Sequence, residues 1–111
     1  MYDHISIRSD NQYVKKIKVS YFVSLLESQF SFLKKESHVT FSYLLGNYKI
    51  LINGIHADTS GNYAFEHDGE FTEINLIEVS IPQGAESEFE DEILSIAKQL
   101  SKELNWEIEN H

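Results

Sequence analysis

Apolar residues recur along this chain at two different periods, and the switches between them mark its elements. Ile5 and Ile7 alternate with Ser6 and Arg8, which predicts a short strand over 3–8. Ser9-Asp10-Asn11-Gln12 is a cluster of turn formers. Residues 13–18 then read in two ways. They form either a second strand folding back as a hairpin or the first turns of a helix. As an edge strand, Lys15, Lys16 and Lys18 would discourage edge-to-edge aggregation. Past residue 18 the period lengthens. Val19, Phe22, Val23, Leu26, Phe30 and Leu33 fall on one stripe at helical spacing. Ser20 is the expected N-cap, and Lys34 and Lys35 are placed to complement the negative C-terminal end.

The period returns to two over 38–45, where Val39, Phe41 and Tyr43 alternate with Thr40, Ser42 and Leu44. Gly46-Asn47 is a turn signal, and 48–55 continues as the return strand of a hairpin. Residues 56–72 are rich in turn formers at both ends, with a short strand expected over 62–66 and a hairpin turn at Asp68-Gly69. The strand expected over 71–81 slips its alternation between Leu76 and Ile77, which calls for a bulge or for burial on both faces. Pro82-Gln83-Gly84 ends it. Ser87 and Glu90 have capping-box spacing ahead of a second stripe: Phe89, Ile93, Ile96, Ala97, Leu100 and Leu104. Asn105 is the expected left-handed cap, and Trp106 and Ile108 read as a short final strand or an extended tail. No repeat or linker interrupts this pattern. The expectation is a single α+β domain over 1–111: a mainly antiparallel sheet of about five or six strands with two amphipathic helices packed on it.

Charge changes the picture more than size does. The 111 residues carry 9 Lys plus Arg against 18 Asp plus Glu, a formal net charge of −9. That balance argues against direct binding of nucleic acid or an anionic membrane. The distribution is uneven: residues 1–55 sum to +3 and residues 56–111 to −12. A surface dominated by one sign repels itself and invites a cationic partner, although excess carboxylate also serves solubility. Acids crowd two regions. One holds Asp58, Glu66, His67, Asp68, Glu70 and Glu73, with Tyr63 and Phe65 as apolar anchors among them. The other holds Glu86, Glu88, Glu90, Asp91 and Glu92 at the start of the second helix, more than dipole compensation requires.

Candidate chemistry is sparse. There is no cysteine, hence no disulfide, thiolate metal site or cysteine nucleophile. The histidines and carboxylates from His56 to Glu73 have the donor types for zinc or manganese but no ligand spacing. No nucleophile elbow or phosphate-binding glycine loop occurs. No cofactor, metal or catalytic residue is therefore expected. The N-terminus lacks a basic start followed by an apolar run, and no segment is long and apolar enough for a membrane span, so a cytoplasmic location is expected.

In size, acidity, lack of cysteine, and the second helix with its trailing Trp106-Glu107-Ile108, the chain resembles the immunity proteins of bacterial toxin systems, including contact-dependent growth inhibition. The resemblance is one of overall character and carries no residue-level motif. It implies a non-enzymatic inhibitor that binds a basic toxin domain, typically a nuclease, one-to-one. On charge and aromatic placement alone, the expected contact residues are Asp58, Tyr63, Phe65, Glu66, His67, Asp68, Glu70, Glu73, Glu86, Glu88, Asp91 and Glu92. A second reading is an adaptor or oligomeric subunit using residues 13–18 as an exposed sheet edge. A third is a small metal-dependent or acid–base enzyme built on the cluster from His56 to Glu73.

Overall fold

A computed structural model describes residues 2–10, 14–57, 63–64 and 72–110. The chain order is β1 (Tyr2–Arg8), β2 (Ile17–Lys18), α1 (Val19–Gln29), β3 (Lys34–Lys35), β4 (Thr40–Leu45), β5 (Tyr48–Ala57), β6 (Tyr63–Ala64), β7 (Glu73–Ile74), β8 (Leu76–Pro82), α2 (Ala85–Leu104) and β9 (Glu107–Asn110). The main sheet runs β3-β4-β5-β8-β1-β9, with β6 paired to the far end of β5, and β2 and β7 form a separate two-stranded pair. Every pairing is antiparallel. This is the α+β architecture that the switching periods predict.

Register explains which residues form the core. Ile7 faces Ile77, Ile5 faces Val79, Val79 faces Ile52, and Ile52 faces Phe41. These apolar positions line one face, and both helices supply that face with Val19, Phe22 and Leu26 from α1 and Ala85, Ile93, Ala97 and Leu100 from α2. Phe22 meets Phe41 edge-on at 6.0 Å. Gly54 makes room for this contact: a Cβ there would stand 3.1 Å from both Phe22 and Ile74. The opposite face carries alternate residues such as Ser6, Arg8, Ser42, Asn53 and Glu78, as an antiparallel sheet covered on one side allows.

Several local expectations are corrected. Of the expected strand over 13–18, residues 14–18 are described, and none of them pairs with β1; among them Ile17 and Lys18 form a strand, and their partners are Ile74 and Glu73. Helix α1 ends at Gln29, so Lys34 and Lys35 lie beyond it as edge strand β3, and the lysine-protected edge is there rather than at 15–18. Ser20 is inside α1; the N-cap is Lys18, which gives no side-chain hydrogen bond. The capping box at Ser87 and Glu90 is not formed. α2 begins three residues earlier than that box would place it, after Gly84 at φ 92°, and the Ser87 hydroxyl donates back to the Gly84 carbonyl.

The slip between Leu76 and Ile77 has a definite cause. The expected strand over 71–81 breaks at Asn75, which is fully buried. Its side-chain amide accepts from the Ala57 N–H and donates to the Ala57 carbonyl, both at 2.7 Å. Its backbone N–H donates to the Ile55 carbonyl, and its carbonyl accepts from the Ser9 N–H. One asparagine thus acts as a strand residue toward β5 with both backbone and side chain. The break turns Leu76 onto the far face, where it forms a small buried cluster with Ile55 and Ala57, and frees β7 to leave the sheet for β2.

The predicted turns at Gly46-Asn47 and Asn105 are formed. Leu45 pairs with Tyr48 across a two-residue loop, with Gly46 at φ 60° and no positive φ at Asn47. Asn105 adopts φ 57°, ψ 43°, and the Trp106 N–H returns to the Ser101 carbonyl, delivering the chain directly into β9 against β1.

Candidate functional site

The expected contact residues that are described stand at two ends of the molecule. Asp58, Phe65, Glu66, His67, Asp68 and Glu70 lie outside the described residues, and so does the expected turn at Asp68-Gly69. Tyr63 is described as backbone in β6, opposite Ala57. Glu73 is exposed in β7, and its carbonyl lies 3.2 Å from His56 Nδ1, which donates there. At this end β5 finishes.

Glu86, Glu88, Asp91 and Glu92 belong to the first half of α2. That end of the helix is fixed by Phe89, which packs edge-on against Tyr48 at 6.1 Å and approaches Gly46. Tyr48 and His56 stand eight residues apart on β5, about 26 Å at ordinary strand rise. The molecule is only 34 Å in its longest dimension. The acidic half of the sequence is therefore not one patch: Glu73 and the α2 carboxylates sit near opposite ends of β5.

The α2 group is the better defined of the two. Glu88, Asp91 and Glu92 are exposed; α2 is kinked at Phe89 (φ −126°, ψ 29°), so Asp91 and Glu92 belong to the segment whose Ile93, Ala97 and Leu100 are buried, and Glu88 to the short segment before the kink. None takes part in the ion pairs found among the described residues. Those pairs use other carboxylates: Glu107 and Glu109 with Arg8, and Glu36 with Lys49. The Ser42 hydroxyl, and then the Lys49 ammonium, hold the Glu36 carboxyl below its ordinary value.

An exposed apolar group stands at this same end. Phe32 is 58% exposed and packs edge-on against Tyr43, at 5.7 Å. Tyr43 is three residues from Gly46, about 10 Å along the strand. The sequence reading missed Phe32 because it follows a helix expected to run further. No helical phase reports on it, because α1 ends at Gln29 and Phe32 lies in the turn beyond. Leu44 and Tyr21 are also exposed, and both fall off the apolar pattern of their elements.

No group of three or more potential metal ligands occurs among the described residues, and no helix is long and apolar enough to cross a membrane among them. Comparison with protein-family models, with curated proteins and with solved structures finds no match to this chain.

Proposed function

We propose that this protein is a non-catalytic inhibitor of the immunity type, which binds a basic toxin domain, a nuclease in the simplest case, one-to-one. The observation that carries the reading is the set of exposed, unpaired carboxylates Glu88, Asp91 and Glu92 on the first half of α2. A nuclease surface must present lysine and arginine to phosphate, and a helix bearing carboxylates is complementary to it. The segment after the kink at Phe89 is anchored by Ile93, Ala97 and Leu100, so Asp91 and Glu92 need little ordering on binding. Phe32 supplies an apolar anchor at the same end, the element that charge alone lacks.

The resemblance to immunity proteins supports this reading, and so does the balance of −12 over residues 56–111. The edge-strand alternative has less in its favour, since among the described residues 14–18 the strand is Ile17–Lys18 alone, in the small β2–β7 pair. The experiment is binding to the product of the gene immediately upstream of this chain's own. Tight one-to-one association that weakens in the Glu88→Gln/Asp91→Asn/Glu92→Gln variant is the expected result. Association unaffected by that variant would move the interface elsewhere and remove the argument.

A further inference from the structure

A cleft of about 630 Å³ opens at the start of α1, at the end of the molecule away from Phe89. It lies within the size range of small-molecule sites. Four segments line it: Lys18, Val19, Ser20 and Val23 from the β2–α1 junction, Lys35 from β3, His38 from the following loop, and Thr72 with Glu73 beside β7. Val19 is buried and Val23 half-buried, so one wall is apolar. Lys18 and Lys35 are exposed at the rim and belong to none of the ion pairs among the described residues. In a chain of net charge −9, this concavity carries two lysines against the one carboxylate of Glu73.

The backbone adds the same sign. The first turn of α1 contains no acidic residue, and its N-cap makes no side-chain hydrogen bond. The Val19 N–H is taken by the Thr72 carbonyl, so what the helix end offers the cleft is the positive charge of its remaining first-turn N–H groups, with no acidic side chain in that turn to offset it. Glu73 opposes Lys18 across the β2–β7 pair and offsets part of this field.

We infer that this cleft binds a small amphiphilic anion: a carboxylate or phosphate monoester held by Lys18 and Lys35, with its apolar body against Val19 and Val23. The site is separate from the α2 surface and stands or falls independently of the inhibitor reading.

The test is an amide-resolved NMR titration of the full chain at constant ionic strength. Octanoate and octyl phosphate are the two anionic probes, which distinguish the headgroups, and 1-octanol and inorganic phosphate are the controls. The expected result is saturable shifts at Val19, Ser20, Val23 and Thr72 with at least one anionic probe and clearly weaker binding by both controls. Lys18→Gln/Lys35→Gln should weaken that affinity by at least about fivefold, whereas Lys98→Gln/Lys102→Gln, which removes the same charge from the surface of α2, should leave it unchanged. Glu73→Gln should strengthen it. Absence of saturable shifts with either anionic probe would overturn the inference. So would 1-octanol or inorganic phosphate binding as tightly, or equal losses in the two lysine pairs.

Discussion

Single side chains decide the details of this sheet. Asn75 carries the largest share, because both halves of its amide satisfy the backbone of Ala57 in a site with no solvent access. Asn75→Ala leaves that N–H and carbonyl buried without partners, and the expected loss is about 3 kcal/mol. Urea unfolding checks this: the midpoint should fall while the slope stays unchanged. Tyr43 presents the reverse case. Its hydroxyl is buried without a hydrogen-bond partner, and burial pushes its pKa up to about 12. The neutral phenol is thus favoured in the folded state relative to the unfolded chain, whose phenol titrates near 10. Stability that depends on this group is complete below about pH 10 and is lost as pH rises toward 12. Tyr43→Phe should therefore leave stability at pH 7 unchanged or slightly higher and flatten the alkaline decline, as followed by thermal unfolding across that range.

At the scale of elements, α1 is the least well terminated. Lys18 has the extended φ −69°, ψ 142° that an N-cap requires, but not a side chain that can accept from the first turn. Lys18→Ser should supply that acceptor and stabilise the fold by about 1 kcal/mol, measured as a rise in the denaturant midpoint. Strands and helix faces were legible in the sequence wherever a full period repeated: β1, β4, β5, the α1 stripe to Phe30 and the α2 stripe all follow it. So did the turns that need Gly46 and Asn105, since both adopt positive φ. β3 was not legible, and although β2 and β7 fall within the stretches 13–18 and 71–81 read as strand, their pairing with each other was not, because a pair of residues has no period and is defined only by its partner across the sheet. The helix starts were misplaced for a related reason. Ser20 and Ser87 match a capping pattern, but the chain entering each helix is already directed by other contacts. The Val19 N–H is taken by the Thr72 carbonyl, and Gly84 turns the chain into α2 through a positive φ.

Over the whole molecule, the charge asymmetry read from the sequence becomes a spatial one only in part. The sequence marks two acidic stretches, 58–73 and 86–92. The fold sets Glu73 beside the lysines of the α1 cleft and sends the α2 carboxylates toward the opposite end of β5. The legible portion of the candidate site is the acidic first half of α2, where helical periodicity reports exposure directly. The separation from Glu73, the cleft and the exposed Phe32 depend on long-range pairing that no local pattern encodes. Guidance of a basic partner by the α2 carboxylates is tested most directly by the association rate constant with the product of the gene immediately upstream, followed by stopped-flow fluorescence from about 20 to about 300 mM NaCl. The expected result is a fall of roughly tenfold or more over that range, with a distinctly shallower dependence for Glu88→Gln/Asp91→Asn/Glu92→Gln. A rate constant independent of salt, or one whose salt dependence the triple variant leaves intact, would contradict it.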